Sequence, residues 1–472
     1  MANKYYITAA IPYVNAEAHI GHAYEYFLSD TLARFKRQTG FDVRFQMGSD
    51  DNSLKNVQAA EKKGLPIAEY VDEAAANFIQ LNKSFNISND DFIRTTEKRH
   101  IEGAQKLWAA CEKDIYKKKY SGRYCIGCEE FKREDDLVDG CCPEHSNTKL
   151  EEVEEENYFF KLSNYQDKLI ELIEKDIYKI TPETRKNEAL AFIKQGLEDF
   201  SISRSKERAR GWGIPVPGDD TQVIYVWFDA LANYITALDY AKEGEVFKKY
   251  WPADVHVVGK GILKFHAIYW PAMLLSAHVA TPKNLYVHGY ITTNGAKVSK
   301  STGNAIDPVA VAEKYGVEAL RYYLLRYIPS YGDGDFTDTI FEERYRSDLS
   351  NDLGNLVQRT LSMANKFGVK PKDYPNVIDP NVAAELDGFR FDFALEKIWE
   401  VVRECNAEID KEKPWELAIS DPKKLQKVME SLLNSISLIA VSLEPFMPET
   451  AQKIKEQLVT LKPEVLFPRL EG

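Results

Sequence analysis

The chain has 472 residues, 44% of them hydrophobic, which leaves room for about three domains with ordinary cores. A formal charge of −12 excludes a surface coated for nonspecific nucleic-acid binding, but not a local basic surface, because RNA contact follows the distribution of charge rather than its sum. Six cysteines in a chain of this length, four of them clustered, do not read as a secreted disulfide framework and point to a metal site in a reducing compartment.

No charged-then-apolar leader precedes the first strand, and the apolar stretch 268–280 is too short for a bilayer and holds Pro271 and His278. The expectation is a soluble, cytoplasmic chain with no membrane partner. Tyr5-Tyr6-Ile7-Thr8-Ala9-Ala10 reads as a buried strand, broken by Ile11-Pro12-Tyr13-Val14-Asn15. Apolar residues then recur at helical spacing from Ile20 to Gln38, and Thr39-Gly40 stops the helix. His19 and His22 stand at its start, three residues apart on one face. Helix N-termini attract anions through free N–H groups and the dipole. The two imidazoles can donate to phosphate oxygens, and Gly21 permits close approach by a flat base. Taken alone, the pair reads equally as two surface histidines. A second strand, Asp42 to Gly48, ends at Gly48-Ser49-Asp50-Asp51. Asp50 stands where parallel sheets place ligands and suits a substrate ammonium; capping the next helix is the other use of such a residue.

Lys117-Lys118-Lys119 precedes Cys125-Ile126-Gly127-Cys128, and Cys142-Pro143-Glu144-His145 follows after thirteen residues. Both pairs have knuckle spacing, so Cys125, Cys128, Cys142 and His145 can close a tetrahedral shell around a structural zinc ion. Cys141 competes for the third position. The acidic run Glu151 to Glu156 reads as a solvated face. Strand character returns near Phe200-Ser201-Ile202-Ser203-Arg204, then in Val223 to Ala230 and in Asp254 to Gly261. The helix after the last of these puts His266 and Trp270 on one face, while Trp227 and Trp270 also suit a core. A run from Tyr286 leads into Lys297-Val298-Ser299-Lys300-Ser301, bracketed by Gly295 and Gly303. Two lysines in such a loop suit a polyphosphate, although a solvated loop has the same composition. Beyond about Ser330 the strands stop, and from Arg344 to Leu461 helical periodicity dominates. The expected class is α/β: a Rossmann-type doubly wound parallel sheet split by a zinc-bearing insertion, followed by an α-helical bundle domain.

These stretches together resemble the class I aminoacyl-tRNA synthetases, and among them the methionyl-tRNA synthetases, from about Tyr5 to at least Trp415. The HIGH motif is literal at His19 to His22, and the KMSKS motif stands at Lys297 to Ser301 with Val298 in place of methionine. Methionine specificity is suggested by Ala10 to Asn15, Tyr225 to Tyr234 and Lys264 to Pro271, and the knuckle resembles the single-zinc subtype. The resemblance implies adenylate formation from methionine and ATP with Mg2+, then transfer to the 3′ end of tRNA(Met). It implies catalysis by His19, His22, Lys297 and Lys300. It implies ATP contacts from Asn15, Gly21, Gly259, His288, Lys297 and Lys300. The methionine pocket would be Ile11, Tyr13, Asp50, Trp227, Ala230, Leu231, Tyr234, Ile262 and His266. Asn355 and Arg359 on one helix, with Trp415 after Pro414, would meet the anticodon. The implied domains are the catalytic halves 1–115 and 224–325, the connective insertion 116–223, a stem-contact connector 326–350 and the anticodon-binding domain 351–472. No appended oligonucleotide-binding fold follows, so a monomer is expected.

Three departures stand out. Gly261 replaces the Asp of a Gly-Lys-Asp strand end that binds ribose in the family, which puts ATP affinity in question. Asp50-Asp51-Asn52-Ser53 replaces Asp-Glu-His-Gly. Val298 is a volume-similar apolar change with a mild expected effect. The first two motivate an alternative, a catalytically silent paralogue that binds tRNA or a nucleotide. A cysteinyl enzyme would need a cysteine cluster at the amino-acid pocket, whereas the first loop here has none. The leucyl, isoleucyl and valyl enzymes carry much larger editing inserts.

Overall fold

The near-continuous apolar runs of the N-terminal half become strands buried on both faces, as a parallel sheet requires. The computed structural model describes residues 3–125, 130–132, 137–143, 150–293, 295–297, 306–371 and 377–470. Six strands form the main sheet: β1 (Lys4–Ala9), β2 (Asp42–Ser49), β3 (Asp91–Arg94), β4 (Lys179–Thr181), β5 (Val255–Gly259) and β6 (Asn284–His288), in the order β3-β2-β1-β5-β6-β4. All five pairings are parallel. The winding reverses between β1 and β5, and the crevice beyond their carboxyl ends is where such sheets receive ligands.

Helix α1 (Ile20–Gln38) follows β1, and Gly40 ends it in the left-handed region at φ +86°. Its inner face buries Tyr24, Phe27, Leu28 and Leu32 against the sheet. Asp30 on α1 is fully buried and sits 2.8 Å from Arg321, itself fully buried. Arg321 also donates to the Phe446 carbonyl at 2.6 Å, so one guanidinium joins α1 to the helical domain. A buried pair of this kind is costly to break from one side.

The stretch 116–223 does not leave the sheet as one block. Ile115–Cys125 and Glu151–Phe160 form an antiparallel pair that stands apart, but β4, inside the same stretch, returns to the edge of the main sheet beside β6. A three-residue strand carries too little pattern to reveal its partner. The register sets Lys119 opposite Glu156 and Arg123 opposite Glu152, the latter with the two side chains 3.2 Å apart. The acidic run therefore faces the basic strand before the cysteines, each cross-strand pair contributing roughly 0.2–1 kcal/mol.

Val223 to Ala230 is not one strand. Asp219–Ile224 ends, and helix α2 (Val226–Leu231) begins where the N–H groups of Phe228 and Asp229 turn back to the Tyr225 carbonyl. Short apolar runs do not distinguish strand from buried helix, and here packing decided. His266 lies in a wide turn, Phe265–Tyr269, that opens π-fashion before the helix Trp270–Ser276. One short strand, Gly334–Asp335, lies beyond Ser330 and pairs with Ile291–Thr293. Helix α3 (Val317–Tyr327), which carries Arg321, precedes Ser330, and the described residues from 338 to 460 are mainly helical and include α4 (Asn355–Phe367) and α5 (Pro414–Ser420). Among the described residues, no helix is long and apolar enough to cross a membrane.

Candidate active site

The start of α1 is closed by its own histidines. The Gly21 N–H donates to His19 Nδ1 at 3.1 Å, and the His19 N–H donates to His22 Nδ1 at 3.1 Å. The rings stack with centroids 3.9 Å apart. The Ile20 N–H donates to the Ile306 carbonyl, and those of His22 and Ala23 to the His19 carbonyl. The helix therefore does not offer the open backbone N–H groups expected for an anion. Both Nδ1 atoms act as acceptors, which places the proton of each neutral ring on Nε2. The two histidines thus present Nε2–H donors. The room beside Gly21 is filled by the His19 ring, with Cε1 3.0 Å from where a Cβ would stand.

A cavity of about 600 Å³ opens at the carboxyl ends of β1, β2 and β5. It is lined by all nine residues expected to hold methionine: Ile11, Tyr13, Asp50, Trp227, Ala230, Leu231, Tyr234, Ile262 and His266. His22, Gly259 and Gly261 share its wall. The loop after β1 is pinned to the end of β2 by the Asp50 N–H, which donates to the Pro12 carbonyl at 2.8 Å. Asp50 does not cap the next helix; Ser53 does, accepting from the Lys55 N–H at 3.0 Å. Trp227 stacks on Phe265 with centroids 3.7 Å apart.

The cavity's deep end is uncharged. His266 Nδ1 lies 2.9 Å from the Ile262 carbonyl, which can only accept, so Nδ1 carries the proton and Nε2 accepts from the Tyr234 hydroxyl at 2.7 Å. Burial pushes the His266 pKa down to about 4, against a small opposing effect of the Ile262 carbonyl, and burial holds the Tyr234 phenol well above its ordinary value. Behind them His256, also held neutral by burial, bridges Thr8 at 2.7 Å and the Trp270 indole at 3.2 Å. A neutral, aromatic wall suits an apolar, polarizable thioether.

Asn52 and Ser53 have structural employment. The Asn52 amide donates to Asp229 at 2.8 Å, and His100 Nε2 lies 2.5 Å from the other oxygen of the same carboxylate. Asp229 and His100 are fully buried. This cluster holds α2, which carries Trp227, Ala230 and Leu231. Asp51 pairs with Arg94 at 2.8 Å.

Not every expected residue meets the cavity. Asn15 is exposed and lines a neighbouring hollow with Glu17, Tyr70 and Asp307. His288 stands behind the wall: Nε2 is 3.0 Å from Glu25 and Nδ1 is 2.8 Å from the Gly289 carbonyl. Lys297 ends a short strand with its side chain outside the described atoms, and Lys300 lies outside the described residues. So do Cys128 and His145, and among the described residues no group of three metal donors occurs. Cys125 and Cys142 are fully buried, as thiolate ligands of a closed structural site would be. A tight Asp139-Gly140 turn pairs Val138 with Cys141, both turn residues having positive φ. Cys141 remains half-buried while Cys142 is buried against the cavity. In the helical domain Asn355 and Trp415 are exposed, Trp415 at 45%, and Arg359 pairs with Asp410 at 3.1 Å.

Sequence reasoning missed Glu25, Lys55, Lys132, Cys142, Pro143, Asn233, Phe265 and Tyr290 as cavity residues. Glu25 had a signal, lying three residues beyond His22 on the same helix. It accepts from the Ala10 N–H at 2.9 Å and so ties α1 to the end of β1.

The family model for class I tRNA synthetases (M) matches residues 5–153 and 145–361. The chain belongs to this family, the methionyl-tRNA synthetases. The methionine–tRNA ligase of Caldanaerobacter subterraneus subsp. tengcongensis is 45% identical over 97% of this chain and 74% of its own length. That of Rickettsia conorii is 42% identical over 100% and 96%. The solved Mycobacterium tuberculosis methionyl-tRNA synthetase in complex with methionyl-adenylate superposes with a TM-score of 0.89 at 38% identity, covering 100% of this chain and 99% of that one. Its apo form gives 0.84.

Proposed function

We propose that the cavity at the β1–β5 switch point is where this synthetase joins methionine to ATP. A methionine carboxylate oxygen attacks the α-phosphorus, the bond to the bridging oxygen breaks, and pyrophosphate leaves. A ribose hydroxyl at the 3′ end of tRNA(Met) then attacks the methionyl carbonyl, and AMP leaves. The observation that carries the reading is the convergence of nine residues from four separate segments on one cavity whose deep end is uncharged and aromatic, with His22 in its wall and His19 stacked on His22. Tyr13, Trp227, Tyr234 and His266 surround the thioether, and Asp50 pairs with the substrate amine. His19 and His22 donate to phosphate oxygens as negative charge builds; losing one such donor costs roughly 3–4 kcal/mol of barrier. Lys297 and Lys300 clamp the outer phosphates, and Mg2+ accompanies the nucleotide. Asn355, Arg359 and Trp415 meet the anticodon.

A zinc ion held by Cys125, Cys128, Cys142 and His145 brings its own stability to the fold of the insertion. The silent-paralogue alternative loses half of its motive, because Asn52 and Ser53 support α2 and the following helix instead of marking a decayed site. Methionine-dependent ATP–pyrophosphate exchange tests the reading. Exchange with methionine far faster than with leucine, isoleucine or cysteine is expected, and homocysteine should be a weak competing substrate, since apolar pockets separate near-isosteres by only about 1–3 kcal/mol. Equal rates with methionine and leucine would overturn it.

A further inference from the structure

Two glycines, Gly259 at the end of β5 and Gly261 just after it, lie under side chains at and just past the end of β6. A Cβ on Gly259 would touch the His288 ring at 3.4 Å, an ordinary contact. A Cβ on Gly261 would collide with the Tyr290 hydroxyl, while the next nearest atoms of that ring, Cζ and Cε1, stand at 3.4 and 3.7 Å. The hydroxyl oxygen alone therefore fills the space that a side chain at position 261 needs. Two groups hold Tyr290 there, and they hold each other. Its N–H donates to Asp333 at 2.8 Å, Lys260 lies 4.5 Å above its ring, and Lys260 is anchored to Asp333 at 2.6 Å. The ring lines the same cavity as Gly259, Gly261 and His22.

Resting on the ATP reading above, the geometry narrows what Tyr290 can meet. The thioether end of the cavity is closed by Tyr234 and His266, and the phosphates face the Nε2–H donors of α1. Attack by the amino-acid carboxylate puts the α-phosphate between them. The nucleoside attached to that phosphate then lies over the remaining wall, the glycine shelf after β5. Glycines bring no polar side chain to it. Glu25, which also lines the cavity, has one oxygen on the Ala10 N–H and the other on His288. We propose that the Tyr290 hydroxyl, seated beside Gly261, hydrogen-bonds a ribose hydroxyl of ATP and is a specificity-determining residue of this synthetase. A phenol both donates and accepts, so it matches a ribose hydroxyl of either polarity.

The test compares ATP with 2′-deoxy-ATP and 3′-deoxy-ATP in methionine-dependent pyrophosphate exchange. The wild type should favour ATP over at least one analogue. Tyr290→Phe keeps the ring over Lys260 and removes only the hydroxyl. It should raise the KM for ATP about tenfold, leave the KM for methionine in place, and bring the ratio between ATP and that analogue close to one. Gly261→Asp alone should lose ATP binding through collision. Combined with Tyr290→Phe it has room, and the double variant should regain both affinity for ATP and discrimination against the deoxy analogue. Unchanged discrimination in Tyr290→Phe overturns the proposal, as does a parallel loss for methionine and ATP, which would mark the hydroxyl as packing. Absence of any exchange in the wild type would instead overturn the ATP reading on which the proposal rests.

Discussion

Tyr234→Phe removes one oxygen atom from the deep end of the cavity. The phenyl ring keeps its place, stacked 4.2 Å from His256, and the Tyr6 hydroxyl still donates to the residue's backbone carbonyl at 2.9 Å. What is lost is the only donor that the described residues give His266 Nε2, at 2.7 Å. His266 cannot compensate by turning, because Nδ1 is committed to the Ile262 carbonyl at 2.9 Å. Leaving a buried acceptor unpaired costs about 1–3 kcal/mol. With the cavity empty, water can reach Nε2 and recover part of this; a bound thioether expels that water and supplies no equivalent donor. The cost therefore appears when methionine binds, as a rise of roughly 5- to 150-fold in the KM for methionine at about 1.4 kcal/mol per decade. The KM for ATP should hardly move, since the lost hydroxyl bonds His266 and not a group proposed to meet the nucleotide. Exchange assays with each substrate titrated in turn give both numbers. An unchanged KM for methionine would refute the claim that the Tyr234–His266 bond shapes the pocket, and an equal rise for ATP would mean that the variant disturbs the sheet instead.

The pH dependence of stability follows from the same histidine. Its folded pKa of about 4 lies below the ordinary 6.5, so its contribution is fully present above pH 6.5 and is lost as pH falls toward 4. Denaturant unfolding should show stability falling across that window by up to about 3 kcal/mol from this one group, and less steeply in His266→Gln; a rise on acidification would refute the sign. For the metal, Cys142→Ser should release zinc and, because Cys142 lines the cavity, also raise the KM for methionine, whereas Cys141→Ser should retain the metal. Metal analysis of the purified variants decides, and the reverse pattern would exchange the two assignments. Trp415→Ala should cut aminoacylation of tRNA strongly while leaving pyrophosphate exchange almost unchanged, since base stacking is worth about 1–3 kcal/mol. A parallel loss in both assays would show that the tryptophan supports the fold.

Much of this protein was legible in order along the chain. The strand at Tyr5, the helix from Ile20 to Gln38 and the helical region from Arg344 to Leu461 are local patterns of period two, none or 3.6, and each formed close to where its pattern lay. The histidine pair and the cysteine pairs are short-range spacings of the same kind. Where pattern is short or ambiguous it misled: Val223 to Ala230 divides into strand and helix, and the three residues of β4 rejoin the main sheet. Contacts between distant segments were decided by the tertiary structure alone. It brings Cys142 and Lys132 from the insertion to the cavity wall, sets Tyr290 over Gly261, and closes the first N–H of α1 with the Ile306 carbonyl. It also turns Asn52 from an apparent defect into a partner of the buried Asp229. The physical reason is range. Hydrophobic period and turn chemistry act over a few residues and can be read in one pass, whereas a hydrogen bond or a collision across 177 or 29 residues of chain exists only once the sheet has set its strand order and register.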